Sequence, residues 1–98
     1  MARKVTTAVV AAFLNGQKKT VGNTHTDGKS LFLHGNRIAT IDDRGYLLIS
    51  TAGWGTPTTK ERLNALPHVS VSTKNFKLYL NGKEWDGTWT AVAKVKAL

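Results

Sequence analysis

Three histidines, His25, His34 and His68, are the side chains best suited to hold a metal ion or move a proton, and their spacing serves neither purpose. No two stand three or four positions apart, as ligands on one helix face must, and no cysteine is present to complete a thiolate site. Serines occur at Ser30, Ser50, Ser70 and Ser72, none of them in the Gly-x-Ser-x-Gly elbow that presents a nucleophile. Asp42 and Asp43 are adjacent carboxylates, but a tight turn with both groups solvated accounts for them. Gly53-Trp54-Gly55 lacks the Gly-Lys-Ser/Thr ending of a phosphate-binding loop and enters its helix through Pro57. The expectation is therefore a protein that is not an enzyme and takes no metal or cofactor.

The chemistry that remains is binding. Fourteen Lys and Arg against six Asp and Glu give a net charge of +8, which favours anionic partners such as nucleic acid or an acidic protein face. The helix start at Thr58, Thr59 and Lys60 offers backbone amides and hydroxyls suited to phosphate, with Arg62 and Asn64 close behind. Lys74, Lys77 and Lys83 extend the basic character along a downstream hairpin. Trp54, between two glycines, joins Tyr46, Tyr79, Trp85 and Trp89 as platforms on which bases would stack wherever the rings are exposed. Each residue also has a structural reading. Thr58 and Glu61 have the spacing of a capping box, and aromatic rings in a small domain fill its core.

These residues need a scaffold to position them, and 98 residues supply one domain, placed at residues 1–93 with a basic tail over 94–98. Arg3-Lys4 before Ala8–Leu14 has the outline of a signal peptide, but the apolar run is short and no small-x-small pair closes it. The segment reads instead as a helix capped at Thr6 or Thr7, burying Val10, Phe13 and Leu14 and stopping at Asn15-Gly16. No run is long enough to cross a bilayer, and no membrane partner is expected.

From Thr20 the apolar period becomes two, and turn signals at Asp27-Gly28, Gly35-Asn36 and Asp43-Arg44-Gly45 divide a four-stranded antiparallel meander. Its strands are Thr20–Thr26, Lys29–His34, Arg37–Asp42 and Tyr46–Thr51. The turns set His25 opposite Ser30, Leu33 opposite Ile38, His34 opposite Arg37 and Ile41 opposite Leu47. One face then carries Phe32, Ala39, Ile41, Leu47 and Ile49, the other Leu31, Leu33, Ile38 and Leu48. With both faces apolar, the sheet has room to curl toward a small barrel or to bury one face in a homodimer. A short helix capped at Thr58 follows, docking Leu63 and Leu66. A C-terminal hairpin turning at Lys74-Asn75, or a three-stranded unit, completes an α+β fold.

Ser50, Trp54, Thr56, Thr58, Thr59, Leu63 and Asn64 form a strand, a tryptophan-bearing loop and a Thr-x-Thr-Thr-x-x-x-Leu-Asn helix start. Tyr79-Leu80-Asn81-Gly82 echoes it downstream. This pattern resembles a family of small tailed-bacteriophage proteins with no established activity, although Lys60 and Glu61 stand where that family commonly has Ser or Arg. The resemblance implies expression in the cytoplasm of an infected bacterium and action on host machinery. Joined to the charge, it gives the expectation of a small non-enzymatic phage-type protein, monomeric or homodimeric, contacting nucleic acid through a basic face. The alternative is a protein that inhibits or modulates a host enzyme or defence factor.

Overall fold

The computed structural model describes residues 4–53 and 56–96. Helix α1 spans Lys4–Leu14 and ends where the sequence writes its stop. Gly16, at φ +71, occupies the left-handed position after the helix. Its amide and that of Gln17 donate to the carbonyls of Phe13 and Ala12, a paired closure that satisfies the last turn. The start is earlier than expected. Thr6 lies inside the helix and fully buried, so its hydroxyl is a core group and not a cap.

The meander is longer than expected. Its first strand is broken by a turn at Gly22-Asn23 into β1 (Lys18–Val21) and β2 (Thr24–Asp27). Then follow β3 (Ser30–Leu33), β4 (Asn36–Ile41) and β5 (Tyr46–Ile49). After α2 (Pro57–Asn64), β6 (Val71–Lys74), β7 (Lys77–Leu80) and β8 (Lys83–Glu84) form a separate three-stranded sheet. Finally β9 (Thr90–Lys94) returns to pair with β5, making a six-stranded antiparallel sheet in the order β1-β2-β3-β4-β5-β9. The stretch expected to be a tail is held to this sheet as far as Lys96, because the amides of Val95 and Lys96 donate to the Gly45 carbonyl.

The register differs from the sequence reading at two turns. Between β2 and β3 the connection is longer, so His25 faces Phe32 and not Ser30. Between β3 and β4 the two turn residues are His34 and Gly35, both at positive φ, so Leu33 faces Asn36 and Phe32 faces Arg37. A bulge between Leu31 and Phe32 then sets Leu31 opposite Ala39, where the sequence reading has Phe32. The consequence is an exchange of faces. Leu31 and Leu33 join Ala39, Ile41, Leu47 and Ile49 in the core, while Phe32 moves to the other side and stays half-exposed. One apolar face needs one cover, and Val9 and Phe13 of α1 with Leu63 of α2 provide it. The sheet accordingly remains open, with β1 and β9 as its edges, instead of curling into a barrel. The exposed, lysine-bearing β1 is a poor template for adding another strand.

The tight turns are held by short side chains. Asp27 Oδ1 accepts from the amides of Lys29 at 2.9 Å and Ser30 at 2.8 Å. Those two amides hold its carboxyl below the usual aspartate range. The contribution is present above about pH 3.9, the unfolded value, and is lost as pH falls through the lower native value. Asp27→Asn is expected to flatten the acid side of the stability profile, read as the urea midpoint below about pH 4. An unchanged acid limb would remove this role.

Candidate nucleic-acid interface

The N-cap of helix α2 lies two residues before the expected one. Thr56 is the N-cap, its Oγ1 accepting from the Thr59 amide at 3.2 Å, and Pro57 occupies the first turn. Proline suits that position because its fixed φ is already helical and its missing N–H would have no helical partner. Glu61 is therefore not a capping residue. Its carboxylate accepts from Thr6 Oγ1 at 2.7 Å and pairs with Arg62.

The structure buries two of the candidate residues, Thr59 and Arg62, and ties Lys60 and Asn64 to a neighbouring strand. Arg62, expected as a binding residue, is 3% exposed. Its Nε donates to Thr24 Oγ1 at 2.9 Å and its Nη1 to Thr6 Oγ1 at 2.7 Å, joining α2 to β2 and α1. Thr59 is buried, and its hydroxyl meets Thr56 Oγ1 at 3.0 Å. Asn64 uses both ends of its amide on Val71, accepting from the backbone N–H and donating to the carbonyl, and so fastens β6 to α2. Lys60 Nζ donates to Thr73 Oγ1 at 2.7 Å across the same junction. Thr58 lines a cavity of about 320 Å³ between the helix start and the β3–β4 turn, with His34, Thr51 and Thr56. Trp54 lies outside the described residues.

What stays exposed is the arm formed by β6, β7 and β8. Lys74 and Lys77 are its last cross-strand pair and stand on one face with Ser72 and Tyr79. Lys83 pairs with Leu80, on the opposite face, so the expected stripe of three lysines is split. Lys77 also makes an exposed ion pair with Glu84 at 3.3 Å, which solvent screens. The turn falls one residue later than expected, at Asn75-Phe76. Both turn residues have positive φ, 52 and 65, the backbone of the turn that most favours Asn-Gly. Phe76 thus occupies a position that suits glycine, with its ring fully in solvent at 103% relative exposure. A bulky residue in the left-handed region is strained, and such strain gathers at working sites.

Lys74-Asn75-Phe76-Lys77 contains no glycine to mark the turn, so from residue types alone Phe76 reads as the start of a strand. The platforms also sort themselves. Trp85 is core, its Nε1 donating to Thr90 Oγ1 at 2.9 Å and to the Thr88 carbonyl at 3.1 Å, whereas Tyr46 and Trp89 are exposed. No group of three or more His, Cys, Asp or Glu side chains that could hold a metal ion is gathered among the described residues.

The model of the Kyanoviridae Gp96 protein family matches residues 2–94. The chain belongs to that family. No curated protein and no solved structure matches it. Kyanoviridae Gp96 is a family of phage proteins, in agreement with the resemblance carried by Ser50–Asn64. The match covers both sheets, both helices and the arm, so the exposed turn and the buried arginine fall within the family domain. It supplies a biological setting and no mechanism. No helix among the described residues is long and apolar enough to cross a membrane.

Proposed function

We propose that this Kyanoviridae Gp96 protein is a small non-enzymatic binding protein that contacts nucleic acid in the cytoplasm of the infected bacterium. The observation that carries the reading is the tip of the arm: a fully exposed Phe76 in a glycine-type backbone position, between two lysines that face each other across the hairpin. An apolar ring inserted between bases and cations on the flanking phosphates is a recurring way for a protein to grip nucleic acid. A two-stranded ribbon has the dimensions to enter a groove of the duplex. The overall charge of +8 raises the rate and strength of such an encounter.

Fluorescence anisotropy against salt tests this directly. Log affinity falls linearly with log salt, each neutralised phosphate adding about −0.9 to the slope on duplex or about −0.7 on a single strand. Phe76→Gly is expected to raise stability by about 0.5–1 kcal/mol, since glycine relieves the left-handed backbone at some entropic cost and no burial is lost. The same change is expected to weaken binding by about 5- to 150-fold, the range for losing one stacked ring. Absence of binding at low salt removes the reading. Stoichiometric capture of one host protein, surviving nuclease and moderate salt, would replace it with the host-modulator reading.

A further inference from the structure

The second face of the six-stranded sheet is a surface that the arm does not use. Both helices lie on the core side, where α1 and α2 cover Leu31, Ala39, Leu47 and Ile49. On the other side His25, Phe32 and Arg37 stand side by side on β2, β3 and β4, each directly opposite the next. The rings of His25 and Phe32 are stacked, with centroids 4.5 Å apart and planes 7° from parallel. Both are half-buried, and Arg37 is exposed. Toward one edge Lys18 stands on the same face; toward the other, Tyr46 and Lys94 oppose each other on β5 and β9. From β1 to β9 is five strand spacings, about 24 Å in all.

We infer that this open face is a binding surface for single-stranded nucleic acid, taking unpaired bases on the His25–Phe32 stack and on Tyr46, with Lys18, Arg37 and Lys94 on the phosphates. The inference deepens the proposed function by naming the class of nucleic acid, and it rests on that reading. An open antiparallel sheet bearing aromatic rings and flanked by cations accommodates bases that are splayed apart, which duplex DNA does not offer. The charge pattern selects this occupant. Lys18, Arg37 and Lys94 outnumber Asp27, and the Asp27 carboxylate is already engaged by two backbone amides. A second copy of the chain would set this cationic face against itself, with Arg37 at its middle strands.

The test compares a labelled oligothymidylate, the matching oligouridylate and a duplex of equal length by anisotropy at low salt. The two single strands are expected to bind more tightly than the duplex, and their ratio reports whether the face prefers DNA or RNA. Arg37→Glu and Tyr46→Ser, both at exposed positions, and Phe32→Ala are each expected to weaken single-strand binding by about 5- to 150-fold. Thermal melts identify any loss due to unfolding, and the two exposed variants decide the matter if Phe32→Ala does not fold. Phe76→Gly is expected to preserve the preference for single strands. Face variants that bind like the wild type, or a duplex bound as well as the single strands, would overturn the inference and leave the arm reading intact. No binding to any of the three probes would overturn both. A homodimer dissolved by Phe32→Ala would assign the face to a second copy and overturn the inference as well.

Discussion

Arg62→Leu is expected to lower the unfolding free energy by about 3–5 kcal/mol, the range for removing one partner from a buried charged network. Its guanidinium is the common donor to Thr6 of α1 and Thr24 of β2, both fully buried, and it pairs with Glu61 beside it on α2. Leucine fills part of the volume but leaves those hydroxyls and the carboxylate short of a donor in a low-dielectric setting. Lysine is also expected to fail, because a single ammonium cannot reproduce the planar fork that reaches two elements at once. Urea denaturation gives the loss directly. A change below about 1 kcal/mol in Arg62→Leu would mean that apolar packing alone orients α2 on the sheet.

Gly45→Ala is the second large effect, with an expected loss of about 2–4 kcal/mol from left-handed strain plus disrupted hydrogen bonds. Gly45 has φ +86, and an added Cβ would stand 2.0 Å from the carbonyl oxygen of Lys96. The same residue's carbonyl receives the amides of Val95 and Lys96, so relief of the clash moves the end of β9 away from the β4–β5 turn. Gly22→Ala separates the two contributions. Gly22 has φ +60 with open space where its Cβ would be, so this variant carries strain without collision and should cost only about 1–2 kcal/mol. Hydrogen exchange localises the damage: faster exchange at Val95 and Lys96 is expected in the Gly45 variant and native protection in the Gly22 control. Equal behaviour of the two would show that the C-terminal segment is not locked by this contact.

Function and stability meet differently in the two sheets. The arm is joined to the domain by polar bonds from Lys60 and Asn64 and by the buried Val71, Leu80 and Trp85, leaving its tip free to carry a strained aromatic turn. The apolar core of the large sheet lies on its helix side, so the exposed residues on the opposite face are free to serve binding. Substitutions of Arg37 or Tyr46 are therefore expected to act on affinity, whereas substitutions of Arg62 act on the fold.

Much was legible in the chain itself. Asn15-Gly16 stopped α1 as written, Asp43-Arg44-Gly45 set the β4–β5 register that places Ile41 opposite Leu47, and Leu63 docked as its position on a short helix required. These are local outcomes, in which a few adjacent residues determine φ, ψ and a face. The family context was equally carried by residue types and spacing. Site assignment was less complete, because charge alone does not reveal whether a cation faces water. Lys60 and Asn64 read as the outer side and Arg62 as flanking the buried edge; Arg62 is buried against Thr6 and Thr24, while Lys60 and Asn64 are tied to Thr73 and Val71.

The division has a single physical origin. By itself the sequence determined an α+β domain, its net charge of +8, the stop of α1 and the β4–β5 turn, since residue types or a few adjacent residues suffice for each. Only the tertiary structure decided which face each β3 side chain occupies, where β9 pairs and which cations remain in solvent. Strand side chains alternate with period two, so the displaced turn at His34-Gly35, a shift of two residues, kept the faces, and the one-residue bulge at Leu31/Phe32 exchanged core for surface. Nothing local distinguishes those alternatives; the burial of Leu31 and Leu33 beneath α1 and α2 selects between them and leaves Phe32 beside His25 and Arg37 on the open face.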